Sequence, residues 1–212
     1  MEYSVIVVAN GQGTRMHLGY NKVFAKLEDG KTILEHACHL FVEDNDCVQV
    51  IIVCDEDCKE LWKDENKIEV VDGGNSRQES VEQGLNHVTS SIVFVHDGAR
   101  PYLEKENLES LKEAMNKEEA ACLCIPVVDT LKKVEDNKIV ATEDREMYMF
   151  AQTPQAFKTS LLKECMEKAK VDGFIGTDDC ALVEKYSQSK IAIVLGNDTN
   201  KKITFPEHLE GK

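Results

Sequence analysis

Long apolar runs are the first thing this sequence lacks. The longest, at residues 48–53 and 91–95, have the length of strands and fall far short of the roughly 20 residues that cross a bilayer, so no membrane span is expected. A basic leader with a small-residue cleavage site is also missing ahead of the strand-like residues 5–8, and a cytoplasmic location is the expectation. Proline and glycine are sparse, at 4 and 12 of 212 residues, and hydrophobic residues (42%) outnumber charged ones (30%), which excludes a disordered or low-complexity chain. No internal repeat or Pro-rich linker divides the sequence, so one domain spanning 1–212 is expected. Basic excess is absent too: 25 Lys and Arg face 39 Asp and Glu, for a net charge of −14. Non-specific nucleic-acid binding needs a basic face to displace counterions, and that class is set aside. A polyanionic ligand would have to meet a few Lys and Arg gathered locally.

Cysteine is plentiful, with eight residues, but the spacing that would give it a metal role is not there. Cys54 with Cys58 and Cys122 with Cys124 both miss CxxC spacing, so a zinc site is disfavoured and reduced thiols are expected. The six His residues are dispersed in the same way.

Strand-like and amphipathic helical runs alternate through the first half. Strands are expected at 4–9, 48–54, 68–71 and 92–96, with helices at 33–42, 58–65 and 76–88 between them. This is the pattern of βαβ units and predicts an α/β fold with a parallel, doubly wound sheet whose ligands sit outside the carboxyl ends of the strands. A helix at 105–116 and a strand at 121–126 follow. Residues 129–134 and 139–141, joined by a polar turn at 135–138, read as a β-hairpin protruding from the sheet, an arm of about 127–147. The chain returns through 150–157, forms helices at 160–170 and 178–186, and ends its last strand at 191–195.

The chemistry concentrates at the ends of these strands. Ala9-Asn10-Gly11-Gln12-Gly13-Thr14-Arg15-Met16, with Lys22 beyond it, places small residues and two cations where backbone N–H groups can approach a phosphate. A dinucleotide fingerprint fails because Met16 holds the third glycine position, and GxxxxGK[ST] is absent. A tight turn followed by surface Arg and Lys remains the plainer alternative. Asp72-Gly73-Gly74 closes another strand, and Gly74 could expose backbone to a base or ribose while Ser80 offers a hydroxyl; helix capping by Asn75 or Ser76 explains the same residues. His96-Asp97-Gly98-Ala99-Arg100-Pro101 puts an acid and an Arg directly after an apolar strand, where a metal–triphosphate and an acceptor phosphate would meet. A surface Asp–Arg pair is the alternative there.

Taken in order, these segments resemble the 2-C-methyl-D-erythritol 4-phosphate cytidylyltransferase family over nearly the whole chain. Pro126-Val127-Val128-Asp129-Thr130-Leu131-Lys132, Asp144-Arg145, Ala151-Gln152-Thr153-Pro154-Gln155, Thr177-Asp178-Asp179 and Lys202-Ile203-Thr204 extend the match. The resemblance implies a Rossmann-like, doubly wound and mostly parallel sheet, CTP and a small polyol phosphate as substrates, Mg²⁺ as cofactor, and a homodimer in which the protruding β-hairpin is a dimerisation arm. It assigns CTP contacts to Ala9, Asn10, Gly11, Lys22, Gly74, Ser80 and Gly98. It assigns acceptor contacts to Asp97, Arg100, Thr130, Arg145, Ala151, Thr153, Thr177 and Lys202, with Asp97 supporting the metal region. Arg15 and Lys22 match transition-state stabilisers; Arg145 and Lys202 match residues that position the acceptor. Asn10 and Asn21 depart from the family, which usually has Ala or Gly and Pro there. The implied reaction is in-line attack of an acceptor phosphate oxygen on the α-phosphorus of CTP, with pyrophosphate leaving. Such a phosphate is already ionised at neutral pH, so no general base is needed. A ribitol-5-phosphate cytidylyltransferase shares several of these elements, and a nucleotide-binding protein without turnover is the rival from another class.

Overall fold

Val5 and Val7 face one way along the first strand, β1 (Tyr3–Val8), and Ile6 faces the other, so the strand is apolar on both sides and needs cover on both. The computed structural model of the chain describes residues 1–11, 21–54, 62 and 66–204. Its elements follow as α1 (Ile33–Glu43), β2 (Cys47–Val53), β3 (Ile68–Val71), α2 (Arg77–His87), β4 (Ile92–Asp97), α3 (Lys105–Met115), β5 (Ala120–Pro126), β6 (Lys132–Glu135), β7 (Lys138–Thr142), β8 (Met149–Lys158), α4 (Thr159–Asp172), α5 (Asp179–Tyr186) and β9 (Ile191–Leu195).

Seven strands form one sheet in the order β3-β2-β1-β4-β8-β5-β9, and β8 alone runs antiparallel to its neighbours. Leu34, Cys38 and Phe41 of α1 pack with Leu108, Leu111 and Met115 of α3 against one face. Val81 and Leu85 of α2, Leu162 and Met166 of α4, and Leu182 and Val183 of α5 cover the other. This is the doubly wound α/β sandwich that the alternation predicts. Gly84 lets α2 lie close on the sheet, because a Cβ there would come 2.7 Å from Ile6 Cγ2. The Thr32-Ile33-Leu34-Glu35 segment is a capping box: Glu35 N–H donates to Thr32 Oγ1 at 3.1 Å and Thr32 N–H donates to Glu35 Oε2 at 2.6 Å. Among the described residues no helix is long and apolar enough to cross a membrane.

The hairpin is present as β6 and β7, a two-stranded sheet of its own with nearly every residue exposed. Glu135 pairs with Lys138, and the two residues between them, Asp136 and Asn137, have positive φ of 48° and 59°. Asp and Asn tolerate that left-handed region in a two-residue hairpin turn. Two readings need adjustment. Residues 150–157, treated above only as a return, form the long strand β8; Gln152, Pro154 and Gln155 obscure it, yet Gln152 and Gln155 are buried and hydrogen-bonded to Asn197 O and Asp178. Among the described residues six cysteines are free, but Cys54 is disulfide-bonded, so the expectation of reduced thiols does not hold at that position. The helix expected at 58–65 lies almost entirely outside the described residues.

Candidate active site

The chain order reverses between β1 and β4: β2 and β3 lie on one side of β1, and β4 begins the other. Ligands of doubly wound sheets bind where such a reversal leaves the strand ends splayed. The ends here are Val8–Gly11 and Asp97–Ala99, and a cleft of about 660 Å³ opens between them. Ala9, Asn10, Gly11, Lys22, Gly74 and Ser80 line it, together with Asp97 and Lys202. A second cleft of about 300 Å³ adjoins it, lined by Arg100, Ala151, Thr153 and Thr177 and sharing Arg77, Asp97 and Lys202 with the first. On a chain of net charge −14, the two clefts gather Lys22, Arg77, Arg100 and Lys202 against the carboxylates Asp97 and Asp178. This local excess of cations answers the requirement that the overall charge imposes on a polyanionic ligand.

The loops of the larger cleft brace one another. Asn10 Nδ2 donates to Gly74 O at 2.9 Å, and its side chain occupies the space a Cβ on Gly73 would need. Asn21 donates to Ala9 O and accepts from Val23 N–H at 3.3 Å. The two asparagines that depart from the family pattern thus tie the strand-end loop to its neighbours. Ser80 is buried at the second turn position of α2, where its hydroxyl accepts from Gly74 N–H at 3.1 Å and donates to Ser76 O at 2.8 Å. Ser76 caps the helix, as the plainer reading allowed, by accepting from Glu79 N–H. Lys22 Nζ donates to Ile203 O at 2.7 Å, while Ile203 N–H donates to Ala99 O at 2.8 Å, so the segment after β9 is sewn across the cleft mouth.

That segment delivers Lys202 to Asp97. Lys202 Nζ lies 2.8 Å from Asp97 Oδ2, Arg100 Nε lies 3.7 Å from the same oxygen, and Arg77 Nε lies 3.2 Å from Oδ1. Burial opposes the Asp97 charge, but Arg77, Lys202 and Arg100 outweigh it and hold the carboxyl well below the ordinary range. Next to it, His96 is fully buried, and burial pushes its imidazole down to about 4. Arg100 O, at 3.1 Å from Nε2, can only accept, so the ring proton sits on Nε2. Nδ1 then accepts from Thr153 Oγ1 at 3.2 Å, and that hydroxyl oxygen accepts from Asp97 N–H at 3.0 Å. The neutral ring therefore fixes Thr153 and the backbone of Asp97 together.

Three expected site residues stand elsewhere. Gly98 lines neither cleft: its N–H donates to Val8 O at 2.9 Å, and the Cβ direction is filled by Leu34 and Ala9. In this fold it lets two strand ends approach. Thr130 and Arg145 are exposed on the arm and line neither cleft of their own chain; the Arg145 guanidinium donates to Val128 O. Arg15 lies outside the described residues. Sequence reasoning assigned nothing to Arg77, which lines both clefts, or to Asp179, its buried partner at 2.9 Å. A cation on the first residue of a helix, against the helix dipole, was the available signal.

A cleft at the strand ends of a sheet reversal thus adjoins a second, smaller cleft, and the two share Arg77, Asp97 and Lys202, an arrangement suited to bringing two anionic substrates together. Residues 3–211 match the family described as IspD, 2-C-methyl-D-erythritol 4-phosphate cytidylyltransferase. The chain is 42% identical to the protein of that name from Halalkalibacterium halodurans, covering 99% of this chain and 94% of the relative, and 40% identical to the one from Bacillus velezensis, covering 99% and 93%. The crystal structure of 4-diphosphocytidyl-2C-methyl-D-erythritol synthase from Anaerococcus prevotii superposes with a TM-score of 0.88 at 29% identity, covering 99% of this chain and 93% of that one. The 2-C-methyl-D-erythritol 4-phosphate cytidylyltransferase from Thermus thermophilus gives 0.84 at 31%, covering 99% and 96%. The chain belongs to the IspD family.

Proposed function

We propose that this chain transfers CMP from CTP to 2-C-methyl-D-erythritol 4-phosphate and releases pyrophosphate, a step in isoprenoid precursor synthesis. The observation that carries the reading is the seam at Asp97 and Lys202, where a cleft lined by the nucleotide residues and a cleft lined by the acceptor residues share their charged wall. An oxygen of the acceptor phosphate would form the new bond to the α-phosphorus as the bond to the pyrophosphate oxygen breaks, so no covalent enzyme intermediate arises. Two anions repel as they approach, and positioned cations lower that cost. Lys22 and Arg15 would stabilise charge on the α-phosphate and leaving group, while Arg100 and Lys202 would hold the acceptor phosphate.

Among the described residues no three His, Cys, Asp or Glu side chains gather into a metal cage. Asp97 is the one carboxylate common to both clefts, and its oxygens already face cations. This fits Mg²⁺ arriving on the triphosphate and keeping mostly phosphate and water oxygens, with Asp97 as the side chain that would hold it. Bound there, the ion supplies charge neutralisation of the triphosphate.

A homodimer follows from the same reading. Val134, Ile139, Val140, Met147 and Phe150 are exposed on and beside the arm, an apolar surface that a second copy would cover. Thr130 and Arg145, remote from their own clefts, would then serve the neighbour's acceptor site. The charged substrates would be met in the cytoplasm. Pyrophosphate release with CTP and Mg²⁺ tests the assignment: methylerythritol phosphate should support turnover and ribitol 5-phosphate should be much poorer. Equal or better turnover with ribitol 5-phosphate overturns the acceptor, and CTP binding without turnover of either overturns the enzymatic reading.

A further inference from the structure

Arg77 is the one cation at the seam to which the motifs assign no role. It is the first helical residue of α2, where the helix dipole and the free N–H groups disfavour a positive side chain. Two carboxylates offset that local penalty. Arg77 Nε reaches Asp97 Oδ1 at 3.2 Å, and Nη2 reaches Asp179 Oδ2 at 2.9 Å. Asp179 is the first residue of α5 and only 1% exposed; its Oδ2 accepts no well-aligned hydrogen bond among the described residues, so the guanidinium charge is what compensates it. Burial raises the Asp179 carboxyl, with Arg77 acting against that rise. From Asp97 the chain of charges continues to Lys202 at 2.8 Å.

The result is an ordered series, Asp179–Arg77–Asp97–Lys202, anchored in the interior at one end and ending at the seam at the other. A planar guanidinium can hold two carboxylates in fixed directions at once, whereas an ammonium is a point charge. Resting on the reading above, we propose that Arg77 is a positioning residue: held by Asp179, it fixes the Asp97 carboxylate and through it Lys202 where the nucleotide and acceptor phosphates meet. A local rule broken at a half-buried, paired position, beside the reacting groups, is the pattern of a residue retained for the site and not for its helix.

Arg77→Lys is the variant to measure, since it keeps the charge that two buried carboxylates need and loses the fork. The expected result is a kcat for pyrophosphate release lowered at least about tenfold, with the CTP Kd from calorimetry changed less than about threefold. In an Asp97→Asn background the same change should cost less than about twofold, because Arg77 acts through Asp97. Asp179→Asn, which removes the anchor, should lower kcat in the same direction. Unchanged kcat in Arg77→Lys, a loss that persists undiminished in Asp97→Asn, or a CTP Kd that weakens as much as kcat/KM falls would each overturn the proposal. If the wild-type protein released no pyrophosphate with either acceptor, the functional reading would fail instead. A crystal structure of Arg77→Lys then decides the positioning role without turnover: an Asp97 carboxylate turned away from Lys202 supports it, and one still within hydrogen-bond distance overturns it.

Discussion

Replacing His96 with asparagine should remove a share of stability that depends on pH in a defined window. The imidazole is fully buried, donates from Nε2 to Arg100 O and accepts at Nδ1 from Thr153 Oγ1, and burial lowers it from 6.5 to about 4. Above pH 6.5 the ring is neutral whether the chain is folded or not, and its contribution is constant. As pH falls from 6.5 toward 4, the unfolded chain takes up a proton that the folded chain refuses, so stability is lost at about 1.4 kcal/mol per pH unit. Below about 4 both states are protonated and the loss levels off. The whole window is worth about 3 kcal/mol, and about 2 kcal/mol is gone at pH 5. Urea unfolding at about pH 7.5 and about pH 5, at constant ionic strength, reads this difference. Wild type should lose about 2 kcal/mol more than His96→Asn between the two conditions, because every group the two proteins share cancels in the comparison. Equal losses in the two proteins would refute the argument that a neutral, buried ring links Thr153 to the Asp97 backbone.

Lys22→Ala should lower kcat at least about tenfold, or about 1.4 kcal/mol of barrier, in protein that stays folded by circular dichroism. A change confined to the KM for CTP would instead mean that Lys22 binds ground state and transition state equally. Mixing separately inactive Arg15→Ala and Arg145→Ala chains tests the arm: random exchange makes about half the dimers mixed, each with one intact site, so about a quarter of wild-type activity should return. No recovery after verified subunit exchange would place Arg145 in its own chain's site.

Much of the fold was legible because the apolar pattern and the turn chemistry agree. The strands Ile68–Val71 and Ile191–Leu195 begin and end where alternation and breakers put them, and the hairpin turn falls on Asp136 and Asn137, which tolerate positive φ. Strand β8 was not legible as a strand, because Gln152, Pro154 and Gln155 interrupt its apolar run; partners at Asn197, Asp178 and Cys180, remote in sequence, make those polar groups affordable to bury. Within the site, small residues at strand ends announced the larger cleft, and Asp97 and Arg100 announced the smaller. Gly98 shows that a glycine signals close approach without saying of what: its N–H meets Val8 O where two strand ends converge.

Apart from β8, the sequence by itself determined the element order, the sandwiching of the sheet and the strand ends at which ligands are expected, because periodicity and turn residues are local properties of the chain. Tertiary structure alone decided which charges meet. Lys202 reaches Asp97 across 105 residues, and Arg77 joins α2 to α5 through Asp179. Coulombic pairing depends on distance and burial, both of which are set by how the layers pack. No spacing along the chain could have shown that the carboxylate after β4 would be held by three cations drawn from three separate segments, or that the imidazole beside it would be held neutral.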